Sequence, residues 1–425
     1  MSLLRVLGLY FRTIRYMKLV QLVNRARRLI FKTKLRGIDE FQITSGKNDT
    51  IKLSFPSKRK SFSEGNNFVF LNKKLSLKFP EDWCNPDLPL LWLYNLHYFN
   101  GLLNSSTPSR LKVDLVNRWI HDNSQSNGVP WDPYPLSLRI CNWIKWIWSF
   151  DGHLPPQIAA SLFQQATHLA KTLEFHLLGN HLLENAKALI FAGYYFGGYA
   201  GEKWLTRGLG ILKKELGEQI LEDGGHFELS PMYHSLVLEL VLDVLQLAKE
   251  ASAPKILAQE VPFYSLTASI MSDWLMVMSH PDQEIAFFND AAIGIAPSPK
   301  ELFLRAKHLN VTNRLSLKGS MNYLKPSGYI RLDNDDATAI LDVAEVGASY
   351  IPGHGHADTL SMECSLFGQR LIVNTGSSEY GLGHRRDYER STSAHSTLEI
   401  DGCNSSEVWG GFRVGRRAHV SGLII

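Results

Sequence analysis

Residues 173–187 place an amide and an imidazole side by side between two helix-like apolar runs. Gly179 is suited to end one helix and Asn180 to cap the next, which would put Asn180 and His181 at a helix start. Backbone N–H groups and the helix dipole favour an anion at such a position. The pair is therefore suited to recognise a carboxylate, although an ordinary helix–turn–helix with a capping Asn and a core His gives the same pattern.

Residues 224–234 form a second polar cluster, in which a Gly-Gly turn leads to Pro231, a residue typical of a first helical turn. His226, Glu228 and Tyr233 should then lie close to one helix end. A tyrosine beside polar or cationic groups can act as an acid or a base when its pKa is brought down. The alternative is that Tyr233 is a core residue of an amphipathic helix.

A third cluster carries histidines separated by glycine. If the segment is extended, His354 and His356 point to the same face, as half of a metal site would require. His395 could complete such a site, but a single H-x-H pattern is a weak signal. Asp358 is one of the few carboxylates near these groups, and no obvious carboxylate pair is present.

A fourth cluster is basic and lies in a loop before His395. Arg385, Arg386 and Arg390 would offer a positive rim to an acidic ligand. A solvated loop is the alternative, although loop arginines between strands often serve recognition.

The composition is that of a globular protein, with 425 residues, a net charge of +4 and four widely spaced cysteines. These cysteines form neither a disulfide framework nor a cysteine zinc site. No G-x-S-x-G, phosphate-binding loop or dinucleotide fingerprint occurs. We expect no nucleic-acid partner, because much of the excess charge is confined to the N-terminus.

Residues 1–36 carry ten Lys or Arg residues and no Asp or Glu. Interleaved apolar residues indicate a basic amphipathic segment that could contact an anionic membrane surface or a partner, or simply pack on the main body. Basic residues interrupt any apolar stretch, so the segment is neither a cleavable secretory signal nor a membrane span. Residues 37–84 are interpreted as an irregular lead-in.

The four clusters require two kinds of scaffold. Residues 85–315 show helical periodicity broken by Gly, Pro and Asn, which predicts antiparallel helix pairs that can close into an α/α toroid. Residues 320–425 alternate like an antiparallel β-sandwich, shortened at its C-terminus, with strands expected at 396–401 and 420–425. The fold class is therefore α+β and multidomain. The predicted helices are 88–103, 109–123, 134–150, 156–178, 181–198, 202–221, 232–252, 262–280 and 299–308.

The order of the motifs resembles the heparinase II/III family of polysaccharide lyases, which is related to the alginate and oligo-alginate lyases. GNHLLENAK and GGHFELSPMYH come first, and PGHGHADTLS, LIVNTGSSEY and AHSTLEIDGCNSSEVW follow. The resemblance covers roughly residues 85–425 and includes the segment around Tyr94 and His97. It implies a carbon–oxygen lyase that cleaves a uronate-containing polysaccharide by β-elimination. Neutralising the uronate carboxylate acidifies the C5 proton and stabilises the enolate-like intermediate.

The resemblance also implies roles for individual residues. Asn180, with His181, matches the family's carboxylate neutraliser. Tyr233 matches the proton donor to the leaving oxygen, and His354 matches a histidine that acts as the base or supports it. We expect the remaining polar groups to bind substrate: Tyr94, His97, His226, Glu228, Arg385, Arg386 and Arg390.

No cofactor is expected to be required, but some members of the family hold a structural zinc ion. His356 and His395 match two of its ligands, and Asn374 stands where an Asp ligand is expected. A neutral amide is a poorer zinc ligand than a carboxylate.

Other functions stay open at this stage. A uronyl C5-epimerase would need the same neutralisation and proton abstraction, and a non-catalytic glycan-binding protein of surface-polysaccharide assembly would need only the recognition groups. The family resemblance favours a periplasmic or secreted protein, whereas the N-terminus favours a membrane-peripheral or cytoplasmic one. The identity of the uronate polymer, and endo or exo action, do not follow from these residues.

Overall fold

Helices account for most of the chain up to residue 308, and antiparallel strands follow from residue 321, in the computed structural model of the protein. The structure describes residues 3–30, 53, 55–125, 127–150, 154–315, 317 and 319–424. The chain divides into two compact units, one of residues 24–214 and the other of residues 1–23 together with 215–425. The order of a helical region followed by an antiparallel sheet agrees with the prediction.

The predicted helices are confirmed as helical stretches, with the largest difference at α6, which ends six residues earlier than expected. The α-helices among the described residues are α1 (Leu3–Ile14), α2 (Leu19–Ile30), α3 (Leu90–Tyr98), α4 (Ser109–Asp122), α5 (Pro133–Ser149), α6 (Pro156–Thr172), α7 (Gly179–Phe196), α8 (Gly198–Gln219), α9 (Pro231–Lys249), α10 (Lys255–Ala258), α11 (Val261–Val277), α12 (Pro299–His308) and α13 (His384–Glu389).

The unit of residues 24–214 is built on aromatic packing. Helix α5 packs against α3, α6 and α7, and its core tryptophans include Trp143 and Trp148, which are fully buried. Trp143 meets Trp119 edge to face, with ring centroids 5.5 Å apart. Such aromatic pairs add directional preference to the burial of large apolar surface. A small antiparallel sheet of β1 (Phe62–Ser63), β2 (Asn67–Phe70) and β3 (Lys73–Ser76) completes this unit among its described residues.

The other unit packs α9, α11 and α12 beside a five-stranded antiparallel sheet. The sheet runs in chain order, so that each strand pairs with the next one: β4 (Met321–Leu324), β5 (Tyr329–Asp333), β6 (Ala337–Asp342), β7 (Met362–Leu366) and β8 (Gln369–Ile372). Its buried face packs Tyr329 and Ile340 against Trp274 of α11. The Trp274 indole donates to the Ser327 hydroxyl at 2.8 Å, which satisfies its buried N–H.

Two predicted strands are wrong. Residues 396–401 take part only in an isolated bridge between Ile400 and Cys403, and Leu398 and Ile400 are largely exposed. Residues 420–424 form no strand either. Alternation predicts which side chains could share a face, but a strand also needs a neighbour with which to pair its backbone. The remaining pairing in this region is a short ribbon of β9 (Val408–Trp409) and β10 (Arg413–Val414).

One helix among the described residues, α9, is long and apolar enough to cross a bilayer. However, 83% of that stretch is buried inside the protein, as is usual for a core helix. The described part of residues 1–36 forms two helices, α1 and α2. Residues 31–36 of that segment, and residues 37–52 and 54 of the predicted lead-in, lie outside the described residues.

Gly224 provides a test of this packing. Its φ of +89° lies in the left-handed region, and a Cβ there would lie 2.0 Å from the backbone oxygen of Ile270. Gly224→Ala should therefore lower the free energy of unfolding by about 2 kcal/mol or more, measured by urea titration. Gly210→Ala is the matched control, because nothing lies within 4 Å of its Cβ position. Equal stability of the two variants would contradict the constraint.

Candidate functional site

Asn180 and His181 lie in the first turn of α7, but neither caps it. Gly179 is the first helical residue instead of the end of the previous helix, and the N-cap is Leu178, with φ +68° and no side-chain cap bond. The preceding turn is closed by the amides of Leu177 and Leu178, which both donate to the Glu174 carbonyl at 2.9 Å. The predicted capping role of Asn180 is therefore wrong, whereas its position at a helix start is confirmed.

A buried carboxylate holds His181. Glu174 Oε1 lies 3.1 Å from His181 Nδ1, and the His181 ring packs on Tyr134 with centroids 4.4 Å apart. Asn185 fixes the carboxylate in turn, since its amide donates to Glu174 Oε2 at 3.0 Å and its oxygen accepts from the Glu174 amide at 2.8 Å. The contact with Glu174 fixes the orientation of the His181 ring through Nδ1. The His181 side chain keeps 29% of its surface exposed.

Two predicted binding residues of this unit have different surroundings. Tyr94 is half-buried and donates to Asp132 Oδ2 at 3.0 Å; burial and the charge of Asp132 raise its pKa. His97 is fully buried, with Nε2 2.9 Å from the Trp83 carbonyl and Nδ1 accepting from the Trp119 indole at 3.2 Å. Burial lowers the pKa of His97 to about 3. This environment is that of a neutral core histidine rather than of a group that touches substrate.

In the other unit, Tyr233 and His354 come together. Tyr233 lies in the first turn of α9, where its amide donates to Ser230 Oγ, the N-cap, at 3.1 Å. Its ring stacks on His354 with centroids 3.8 Å apart, and its hydroxyl lies 3.0 Å from that of Tyr380. Burial, with the nearby Tyr380 and Asp290, raises the pKa of Tyr233 well above its ordinary value. The phenol is therefore protonated at neutral pH.

Asp290 is the centre of this group. Its Oδ2 lies 2.8 Å from His354 Nδ1, and its Oδ1 lies 2.8 Å from His356 Nε2 and 2.7 Å from Ser377 Oγ. Arg386 forms a two-pronged ion pair with the same carboxylate. Burial alone would raise the pKa of Asp290, but the hydrogen bonds from the histidines and the charge of Arg386 lower it well below its usual range. Asp290 is thus a buried acceptor that is charged at neutral pH.

His354 and His356 share that acceptor without being on a strand. Residues 352–354 form a 3₁₀ turn, so the condition of an extended segment is not met at His354. The two rings instead approach Asp290 from one short loop. Because Asp290 accepts from His354 Nδ1, His354 presents Nε2, which lies 3.6 Å from Glu228 Oε2.

Glu228 and His226 lie in the loop before α9 and are both buried. The His226 ring meets Gln219 Oε1 at 3.1 Å, and its backbone amide donates to His234 Nδ1 at 3.2 Å. Burial lowers the pKa of His226 well below its ordinary value. His226 therefore supports the loop, while Glu228 faces His354.

Of the three arginines predicted to form a positive rim, only Arg385 is exposed. Arg385 is exposed and pairs with Glu389 at 2.8 Å. Arg386 and Arg390 are buried, the first on Asp290 and the second donating to the Gly355 carbonyl at 2.8 Å. These two arginines hold the histidine loop in place instead of lining a surface.

Three possible metal ligands lie close together: His356, Asp358 and His395. Ligand atoms of His356, Asp358 and His395 lie within 4.8 Å of one another, and all three residues are buried. His356 Nδ1 lies 3.0 Å from His395 Nε2. Asn374, the predicted third ligand, uses its side-chain oxygen to accept from the Ser396 amide at 2.9 Å.

Two family profiles match the chain. Heparinase II/III N-terminus covers residues 118–305, and Heparinase II/III-like, C-terminal covers residues 317–423. The chain belongs to the heparinase II/III family. Similarity to a crystal structure of heparinase III, with a TM-score of 0.65 at 18% identity over 91% of this chain and 69% of that one, agrees with the predicted helical toroid and β-sandwich fold.

Curated relatives of this heparinase II/III chain include two heparin-sulfate lyases. The one from Bacteroides stercoris is 28% identical over 60% of this chain and 40% of its own length. The one from Pedobacter heparinus is 26% identical over 57% of this chain and 39% of its own length. The chain therefore matches about two fifths of the length of these relatives.

Sequence reasoning missed three residues that organise these groups. Glu174 and Tyr380 lie inside stretches that were singled out for other reasons, LEFHLLGNH and LIVNTGSSEY. Asp290 lies in a loop between helices with no recognisable pattern. Only the three-dimensional structure shows that it meets residues 64 to 96 positions further along the chain.

Glu174 yields a pH prediction. Burial would raise its pKa, but His181 and Asn185 lower it below the ordinary value. A carboxylate whose pKa is lower in the folded state stabilises the fold above the unfolded pKa of about 4.3, and that contribution disappears as the pH falls through the folded value. Glu174→Gln should therefore cost about 1–2 kcal/mol at pH 7, and less as the pH falls from 5 to 3.

Urea unfolding at several pH values measures this difference. Glu202→Gln is the control, because Glu202 is exposed and should show no gap at any pH. A gap between Glu174→Gln and the unmodified protein that widens on acidification would contradict the prediction.

Proposed function

We propose that this protein is a polysaccharide lyase that cleaves a uronate-containing glycosaminoglycan by β-elimination. The observation that carries the proposal is the pairing of a protonated, buried Tyr233 with a His354 ring whose Nδ1 is engaged by Asp290. The heparin-sulfate lyase relatives support an acidic polysaccharide as the substrate.

Carboxylate neutralisation is assigned to Asn180 and His181. The uronate C5–H is a weak acid, because its conjugate base places negative charge on a carboxylate that is already charged. An amide donor and an imidazole N–H at the start of α7 would reduce that charge as it builds up. Glu174 orients the imidazole, since its Oε1 lies 3.1 Å from Nδ1.

Proton transfers are assigned to His354 and Tyr233. His354 Nε2 takes the C5 proton, the C4–O bond breaks as the C4=C5 double bond forms, and the Tyr233 hydroxyl protonates the leaving oxygen. Asp290 orients the imidazole and, with Glu228 3.6 Å away, stabilises the imidazolium that forms. Tyr380, hydrogen-bonded to Tyr233, can return a proton to it.

The test follows ultraviolet absorbance of the unsaturated product with heparan sulfate and other uronate polymers. Tyr233→Phe and Asn180→Ala should each reduce kcat by about 10²-fold or more while the fold is retained. Tyr199→Phe is the control, because Tyr199 is exposed.

Full activity of either variant would refute the assigned roles. Deuterium incorporation at C5 without cleavage would replace the lyase with an epimerase, and glycan binding without any turnover would replace it with a binding protein.

A structural zinc ion at His356, Asp358 and His395 forms a second part of the proposal. His395 Nδ1 donates to the Ser391 carbonyl at 2.7 Å, which makes Nε2 the ring nitrogen that could bind a metal ion. Burial lowers the pKa of His356 to about 4, so this ring is neutral, and its Nε2–H donates to Asp290. His356 Nδ1 and His395 Nε2 lie 3.0 Å apart, close enough for one cation to contact both.

The outer contacts also suit zinc. Metal-bound histidines usually donate their other N–H to a carboxylate or a backbone carbonyl, as His356 and His395 do here. Asp358 would add a charged oxygen ligand. The ion would supply rigidity and positive charge to the loop that carries His354, and the proton transfers need no step through it.

Metal analysis tests this site. The purified protein should contain about one zinc ion per chain, and chelation should lower its Tm. His395→Ala should contain no zinc and show no response to chelator, whereas His121→Ala, at an exposed histidine, should behave like the unmodified protein. Purified protein without zinc, and with a Tm insensitive to added zinc, would contradict the site.

A further inference from the structure

Helix α1 is attached to its unit by one face. Leu9 is buried, the Thr13 hydroxyl accepts from the Trp409 indole at 3.2 Å, and Tyr10 meets Trp409 edge to face with centroids 5.0 Å apart. Arg12 forms a two-pronged ion pair with Glu407, with both distances 2.7 Å. The anchoring face of α1 is therefore formed by residues 9, 10, 12 and 13.

The opposite face of α1 is apolar and exposed. Leu4, Leu7, Phe11 and Ile14 recur at three- and four-residue spacing, which places them within about 80° of arc at 100° per residue. Leu4 is 82% exposed and Phe11 72% exposed. This arrangement inverts the usual amphipathic helix, which buries its apolar face and exposes its polar one.

The apolar surface continues along the chain after α1. Leu19 and Val23 of α2 are also exposed, while Gln21 between them is buried and its amide contacts the Tyr350 carbonyl at 3.4 Å. Lys18, at the turn, pairs with Glu218 and lies over the Tyr350 ring. Both helices are thus anchored largely through polar and aromatic contacts, while most of their apolar residues are left exposed.

Charge decides what this surface fits. Residues 1–36 carry ten basic and no acidic residues, and Arg15, Arg25, Arg27 and Arg28 are exposed. A second copy of the same surface would bring two strongly basic segments together, which disfavours self-association. An anionic lipid surface supplies both an apolar layer for the leucines and phenylalanine and negative headgroups for the arginines.

We propose that α1 and the start of α2 bind the surface of an anionic membrane, with Leu4, Leu7, Phe11 and Ile14 inserted at the headgroup boundary. The binding is peripheral, since the helices are too short and too charged to span a bilayer. The proposal goes beyond the proposed lyase activity and does not depend on it.

Co-sedimentation of the full chain with vesicles tests the proposal. The chain should bind vesicles that contain phosphatidylglycerol at least about ten-fold better than pure phosphatidylcholine vesicles, and less well as salt is raised. Phe11→Asp should reduce binding at least about ten-fold, because it places a charge at the membrane boundary.

Phe367→Asp is the matched control, because Phe367 is also 72% exposed and lies in a turn with φ +50°, a conformation that Asp adopts readily. Its vesicle binding and Tm should equal those of the unmodified chain, and the Tm of Phe11→Asp should also be unchanged. Absence of vesicle binding would overturn the proposal, as would equal binding by the two variants. Dimerisation lost in Phe11→Asp, without vesicle binding, would assign the surface to a second copy instead.

Discussion

The chemistry proposed for this protein depends on one buried carboxylate. Asp290 is fully buried, and removing a carboxylate from water costs several kcal/mol unless it is paired and fully hydrogen-bonded. Arg386, His354, His356 and Ser377 supply those partners from three later segments of the chain. The requirement to satisfy one charge therefore brings together an arginine, two histidines and a serine that the sequence separates.

The same residue also controls the helix that carries Tyr233. Its backbone carbonyl accepts from the Ser230 hydroxyl, which in turn caps α9 by accepting from the Tyr233 amide. The side chain of Asp290 thus orients His354, while its main chain fixes where α9 begins. Burial raises the pKa of both Tyr233 and Asp290, but only at Asp290 do hydrogen bonds and a neighbouring cation outweigh it. Tyr233 therefore stays protonated, whereas the histidines and Arg386 keep Asp290 charged.

The sequence was sufficient to predict the helices and the order of the two scaffolds, because long periodic segments report directly on burial. The sequence correctly predicts that Asn180 lies at a helix start but not which residue caps the helix, since the turn depends on the positive φ of Leu178, which a leucine rarely adopts. Arg386 and Arg390 are predicted from the sequence to lie at the surface, because charged side chains are usually exposed. Their buried partners come from distant segments, and so do those of Asp290; no local pattern could have revealed them.

Helix α1 illustrates a different consequence of chain order. Its Arg12 pairs with Glu407, which lies 395 residues later in the sequence. The other compact unit, residues 24–214, is synthesised between these two residues. At synthesis rates of about 5–20 residues per second, this helix leaves the ribosome roughly 20 to 80 s before its binding site on the same unit exists. During that interval both of its faces are uncovered. The proposed lipid-binding face of α1 is therefore accessible well before the helix is attached to the folded protein.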